Sequence, residues 1–423
     1  MIFSSLDLAP ELQKAIDACG YKTMTPIQEK AIIPARRGVD LLACAQTGTG
    51  KTAAFALPIL QQLVQQFPQQ FPQQQTQQQT QQQSKNNSGQ PQALVLTPTR
   101  ELAEQLATTI GAYAQFLPLN IVAVFGGGKM AGQESKLQAG VDVLIATPGR
   151  LLEHIEQCNV NLSGVEYVVL DEADRMLDMG FVADVQALLQ RTATKRQTML
   201  FSATLSPAVN ELAHKVLNNH QEIRTSKKVN VTAETVEHVI YAVEESRKID
   251  LFVDLLEEHN WYQVLVFTST KHQADKLLAK LKQKRIDAEV CHGDKRQNAR
   301  RRALANFKDG KVQVLIATEV AARGLDIQGL EYVVNYNLPY LAEDYVHRIG
   351  RTGRAGEAGH AISFVSREEE RNVDAIQRLI GSKIERIHRH GFEVSNRDSL
   401  ISKIEEKKRA GRSNKASKTK IER

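Results

Sequence analysis

"VLIAT" occupies residues 143–147 and returns unchanged at 314–318, 171 residues later. The same displacement separates "ALVLTPTR" at 93–100 from "VLVFTSTK" at 264–271. A third pair, "EYVV" at 166–169 and at 331–334, lies 165 residues apart. Each is a short, apolar, β-branched run, the pattern of a strand buried on both faces of a parallel sheet. Composition alone makes such strands look alike. It does not give them the same order and nearly the same spacing. We read two copies of one α/β domain.

Helical patterns fill the intervals: "RELAEQLATTIGAYAQF", "RLLEHIEQ" and, in the second copy, "KHQADKLLAKLKQK". Strands alternating with helices predict parallel sheets flanked by helices, with binding residues at the strands' carboxyl ends. The composition sets the boundaries: a first domain over residues 1–222, a polar linker at 223–235, a second domain over 236–385 and a basic flexible tail over 386–423. Residues 65–90 hold fourteen glutamines, so this stretch reads as a disordered surface insertion unable to supply a core. From Arg397 onward ten Lys/Arg face four Asp/Glu, so the tail carries the whole net charge of +6. Such a tail suits phosphate contact, or plain solvation. No run of eighteen apolar residues and no basic n-region predict a membrane span or a secretory signal. Cys19, Cys44, Cys158 and Cys291 are scattered without a CxxC, which points to a reducing cytoplasm, with neither a disulfide framework nor a zinc site.

The copies differ in chemistry. Only the first contains "AQTGTGKT" at 45–52, between an apolar strand and a helix. There Gly48 and Gly50 let backbone N–H groups face phosphate oxygens at a helix N-terminus. Lys51 is placed for the β/γ-phosphates and Thr52 for Mg²⁺. Only the first copy follows its EYVV with acids, "VVLDEAD" against "VVNYNLP". Asp171 suits the metal through water, and Glu172 suits polarisation of an attacking water. Acids after a strand also serve as helix caps. The two strand-end signals together favour nucleotide hydrolysis.

"LDEAD" at 170–174, "SAT" at 202–204, "PTREL" at 98–102, "TPGR" at 147–150, "ARGLD" at 322–326 and "HRIGRTGR" at 347–354 resemble, in order, the motifs of the DEAD-box ATP-dependent RNA helicases. "DEADRMLDMGF" and "VLVFTSTKHQAD" are most similar to the bacterial RhlE-like branch. The resemblance covers roughly residues 3 to 380 and implies two tandem RecA-like domains. It also implies ATP as the substrate, with contacts at Thr47 and Thr49. "GYKTMTPIQ" at 20–28 resembles the family's Q motif, in which Gln28 would read adenine. The aromatic seventeen positions earlier, Phe3, would stack on the base, although by itself it reads as a core anchor. Met24 stands where a proline is common.

RNA contacts implied by the resemblance are Thr99, Arg100, Gly126, Gly127, Thr147, Gly149 and Arg150 in the first copy, and Thr268, Arg300 and Thr318 in the second. The repeat adds its own support, because Thr147 matches Thr318 and Thr97 matches Thr268 at equivalent strand ends. A lone strand-end threonine reads equally as a helix cap. Glu319 stands where the family often has Asp.

Arg351 and Arg354 sit on the copy that lacks a phosphate loop. Guanidinium is permanently charged and forks onto phosphate oxygens, so we expect both to act as arginine fingers on nucleotide held by Lys51. Gly324 and Asp326 would approach the ribose. Asp174, Ser202, Thr204 and His347 are the expected coupling residues. The bland reading of "HRIGRTGR" is a patch for RNA backbone. The expected partners are single-stranded and duplex RNA, with ribosomal and RNA-degradation assemblies compatible, for a cytoplasmic monomer. Two rivals are a DNA-stimulated translocase and an ATP-dependent RNA clamp that does not unwind.

Overall fold

The computed structural model describes residues 1–45, 48–66, 90–225, 236–322, 327, 329–353 and 359–392. Thr47, Gly324, Asp326 and Arg354 lie outside the described residues, as do most of the glutamine-rich stretch, most of the linker and the tail from residue 393. The chain divides into two compact units.

In the first unit β1 (Leu41–Cys44), β2 (Ala93–Leu96), β3 (Ile121–Val124), β4 (Val143–Ala146), β5 (Tyr167–Leu170), β6 (Gln197–Ser202) and β7 (Gln221–Arg224) form one sheet in the order β3-β4-β2-β5-β6-β1-β7. In the second, β8 (Val236–Ala242), β9 (Val264–Thr268), β10 (Ala288–Cys291), β11 (Val314–Thr318), β12 (Tyr332–Asn335), β13 (Gly359–Val365) and β14 (Glu385–Ile387) follow the order β10-β11-β9-β12-β13-β8-β14. The two orders are identical after subtracting seven from each label, and every pairing is parallel. The duplication reaches the register. Ala93 pairs with Val143 as Val264 pairs with Val314, and Leu94 pairs with Val168 as Leu265 pairs with Val333.

Alternation along each strand feeds a core on both faces. Leu41, Ala43, Val95 and Ile145 pack with Phe55 and Leu60 on one side of the first sheet. Leu42, Leu94, Leu144 and Leu170 pack with Leu188 and Leu212 on the other. No polar residue interrupts these strands, which is why they read as continuous apolar runs.

Two expected boundaries shift. β7 reaches Arg224, two residues past the expected domain end at 222. β14 reaches Ile387, and Phe392 packs on the second unit's core, beyond the expected start of the tail at 386. Both are edge strands, mostly exposed and charged, held by backbone pairing to β1 and β8. Their side chains carry no strand pattern. Among the described residues no helix is long and apolar enough to cross a membrane.

Candidate functional site

In the first unit the singled-out motifs follow the carboxyl ends of β1, β2, β4, β5 and β6, so one edge of the sheet collects them. The turn after β1 carries Gly48 at φ 82° and Gly50 at φ 88°, a region that only glycine enters without strain. Gly50 is also needed for space, because a β-carbon there would fall 2.3 Å from Gln28 Nε2. Lys51 opens the helix Lys51–Gln66, with Thr52 second. Lys51 is 7% exposed, and its Nζ has no hydrogen-bond partner among the described residues. A buried ammonium without a partner is costly unless an anion completes it. The residues present therefore fit a nucleotide phosphate, and Thr52 with Asp171 supplies the oxygens that Mg²⁺ prefers.

Asp171 and Glu172 follow β5 and are both buried. The Asp171 carboxyl is pushed up to about 6, first by burial, with Lys51 pulling it down and Glu172 and Asp174 pushing it up. The Glu172 backbone sits at φ 54°, ψ 52°, a left-handed conformation that costs a non-glycine residue about 1–2 kcal/mol. Strain of this kind is retained where the surroundings dictate it. Asp174 Oδ2 accepts from Ala203 N and Thr204 N, both at 3.1 Å, and from Thr204 Oγ1 at 3.3 Å. Ser202 Oγ accepts from Thr204 N at 3.3 Å. The acid motif and "SAT" are thus directly bonded, with Ser202 acting through Thr204.

Asp171 gives a pH prediction. Its folded pKa lies above the unfolded 3.8, so the folded protein binds more protons between about pH 4 and 6, and stability falls as pH rises through that window. Asp171→Asn escapes this loss. In EDTA without nucleotide, the variant should be more stable than the parent at pH 7 by on the order of 2–3 kcal/mol, with the gap closing near pH 4. Thermal unfolding across pH 4–7.5 checks it. A gap that does not vary with pH refutes the assignment.

Gln28 is buried and bonded at both ends of its amide. Its Nε2 donates to Gly50 O at 3.1 Å, and its Oε1 accepts from Thr25 N at 2.8 Å. Its place is against the phosphate loop. Phe3 requires a correction. The ring is 2% exposed, lies in the first unit's core and stacks on Tyr21 at 5.8 Å, which leaves no face for a base. Thr49 lies in the turn before Lys51.

Several expected RNA contacts converge. A β-carbon at Gly127 (φ 78°) would fall 1.9 Å from Arg100 Nη1, and one at Gly126 would fall 3.9 Å from Arg100 Nε. Arg150 donates to Gly128 O at 3.1 Å and pairs with Glu153. "FGGG" is therefore flanked by two guanidinium groups. Gln133 holds the loop, accepting from Phe125 N and donating to Phe125 O, both at 3.0 Å. We had not singled it out, and nothing in its sequence context marks it. Thr99 caps the helix Arg100–Tyr113 through Leu102 N at 3.3 Å, and Thr147 precedes the helix Pro148–Glu156, where a β-carbon on Gly149 would meet nothing within 4 Å.

In the second unit Thr318 pairs with Thr268 across β11 and β9. Thr268 is a second correction. It is fully buried, and its hydroxyl donates to Thr270 O at 3.4 Å, so no surface is left for a phosphate. Arg300 lies on the helix Gln297–Lys308. His347 lies half-buried on the helix Ala342–Ile349. Arg351 follows that helix, its N–H on Arg348 O at 3.2 Å and its carbonyl accepting from Leu330 N at 3.1 Å. Arg348, which we had not singled out, is buried in an ion pair with Glu319 and donates to Asn335 Oδ1 at 3.1 Å and Asn337 O at 2.7 Å. The longer Glu319 is thereby explained as the partner of a buried arginine. Arg348 shares the helix's buried face with Tyr345 and Ile349, and that spacing was the available signal.

Residues 25–212 match the family model for the DEAD/DEAH box helicase and residues 247–356 that for the helicase conserved C-terminal domain. The chain is 41% identical over 385 residues to the ATP-dependent RNA helicase RhlB of Pseudomonas putida, covering 90% of this chain and 93% of that one. It belongs to the DEAD-box helicase family. It is 39% identical over 377 residues to the ATP-dependent RNA helicase DeaD of Mycobacterium tuberculosis, covering 89% of this chain but 63% of that protein. Among solved structures, S. cerevisiae Dbp5 bound to RNA and ADP BeF3 matches with a TM-score of 0.77 at 31% identity, covering 96% of this chain and 99% of that one. Mss116p bound to ssRNA and AMP-PNP matches with a TM-score of 0.79 at 27% identity, covering 94% and 80%. This DEAD-box chain thus has the two α/β domains that the duplicated strands led us to expect, with the RecA-like fold that the resemblance implied.

Proposed function

We propose that this chain is an ATP-dependent RNA helicase that hydrolyses ATP in response to RNA and uses the cycle to open short duplexes without reading their sequence. The observation that carries the reading is the unpartnered Lys51 ammonium beside the Asp171–Glu172 pair, with Asp174 bonded to "SAT". Lys51 binds the terminal phosphates, and Glu172 orients and deprotonates the attacking water. Mg²⁺, held by Thr52 and Asp171, would supply charge neutralisation on the phosphate oxygens. The Asp174–Thr204 bonds carry a change at the phosphates to "SAT". Arg351 and Arg354 complete the site when ATP and RNA draw the two units together, so each ligand favours binding of the other. The flanked "FGGG" loop, Thr147 and Thr318 meet the RNA backbone. The names of the RhlB and DeaD relatives support the RNA substrate.

Within the family we favour the RhlE-like branch, on "DEADRMLDMGF" and "VLVFTSTKHQAD". We place the unit boundary in the polar stretch after β7 and read the protein as a cytoplasmic monomer acting on single-stranded and duplex RNA, ribosomal or RNA-degradation assemblies included. The test is ATPase stimulation by RNA and by DNA of equal sequence, followed by unwinding of a short duplex. RNA should stimulate at least about tenfold more than DNA, because the 2′-hydroxyl is the distinguishing contact. Equal stimulation would favour the DNA translocase. Stimulation without strand separation would favour the clamp.

A further inference from the structure

The helix Lys271–Gln283 follows β9 and buries Ala274, Leu277 and Leu281 against the second unit. Away from that face, His272, Lys276, Lys280 and Lys284 recur every fourth position, the last just past the helix end. His272, Lys276 and Lys284 are exposed and Lys280 half-buried. Lys282 and Arg285 add two further exposed cations. None of these side chains forms a hydrogen bond or ion pair among the described residues. Asp294 pairs with Lys271 at 2.5 Å, Asp275 lies 3.2 Å from His292 Nε2, and Asp254 and Glu258 pair with Arg389.

Like charges four residues apart repel along a helix and weaken it. Lys280 and Lys284 suit the helix's C-terminal dipole, but Lys276, mid-helix between His272 and Lys280, adds nothing to its stability. Their spacing is about 6 Å along the axis, from a rise of about 1.5 Å per residue. Phosphates along a strand also recur at an even interval of the same order, so successive lysines can each meet a phosphate. From His272 to Lys284 the ridge extends about 18 Å. Its N-terminal end lies at the carboxyl edge of the sheet, where Thr318 ends β11.

We propose that this lysine ridge is an RNA-backbone site outside the motif-lined groove, which lengthens the footprint on single strands or on the flank of a duplex. It rests on the RNA reading above. A regular line of point charges suits a polyanion of even spacing better than an acidic protein surface, whose carboxylates are irregular.

The test compares the parent with K276Q/K280Q/K284Q and K276R/K280R/K284R. Binding is measured for a strand of roughly 6 nucleotides, enough for the groove, and one of roughly 25. For the longer strand, the Gln variant should bind about tenfold more weakly at low salt, and its log K against log salt slope should be shallower by about 2, three phosphates at about 0.7 each. The short strand should bind as before, the Arg variant should retain both affinities, and the Gln variant should unfold at the same or a higher temperature. An unchanged slope for the long strand overturns the proposal, as does equal loss on both strands. A loss on an acidic protein but not on RNA assigns the ridge to a protein partner and overturns it too. If the parent binds neither strand, the RNA reading itself has failed, a result distinct from parity between parent and variant.

Discussion

Replacing Arg351 by alanine lowers RNA-stimulated ATP turnover by about 10³–10⁵-fold, the range for losing an arginine finger, and leaves RNA affinity within about threefold of the parent. The expectation follows from the division of labour inside "HRIGRTGR". Arg348 is consumed by the fold, paired with Glu319 and bonded to Asn335 and Asn337. Its removal would cut the ion pair with half-buried Glu319 and the bonds to Asn335 and Asn337, so loss of activity there would say nothing about catalysis. Arg351, three residues on, is also buried. Its backbone is pinned by Arg348 and by the Leu330 N–H, so the alanine variant keeps the turn in place. Arg351→Lys sharpens the test, because an ammonium keeps the charge but not the fork onto phosphate oxygens. It should restore only a minor part of the turnover. Should RNA affinity collapse while ATP turnover persists, Arg351 is a backbone contact and the finger assignment is wrong.

The architecture was legible because its signal is local. Buried parallel strands must be apolar on both faces, so "VLIAT" announces itself twice, and the nearly constant spacing of three such runs gave the duplication before any coordinate did. β7 and β14 were not legible for the converse reason. As charged edge strands they are specified by backbone pairing to β1 and β8, which leaves no trace in side-chain pattern. At the site, spacing identified where residues fall along the chain but not whether a surface remains open. Phe3 and Thr268 stand at positions the resemblance singles out, and both are buried, Phe3 against Tyr21 and Thr268 at the end of its own strand with its hydroxyl on Thr270 O. The Glu319–Arg348 pair spans 29 residues. Pairing at that range is a tertiary fact, and composition does not carry it.

Glu172→Gln gives the second large effect. Hydrolysis should fall by about 10²–10⁴-fold, the contribution of a positioned general base, while ATP still binds and RNA is held longer. Glutamine keeps the length and shape of Glu172, and it enters the left-handed conformation at φ 54° at the same cost, so the turn after β5 survives. It cannot accept a proton. Asp171 should be easier to ionise, because one of the charges that pushes its pKa up is gone, and metal binding should not weaken. Single-turnover hydrolysis separates chemistry from release, and the RNA off-rate with ATP present reads the coupling. In the proposed cycle, hydrolysis removes the ligand that favours RNA binding, so blocking hydrolysis slows RNA release in step. A variant that hydrolyses within about tenfold of the parent would move the base elsewhere. One that stops hydrolysis yet releases RNA at the parental rate would leave Glu172 as the base and break the link from the phosphates through Asp174 and Thr204 to RNA.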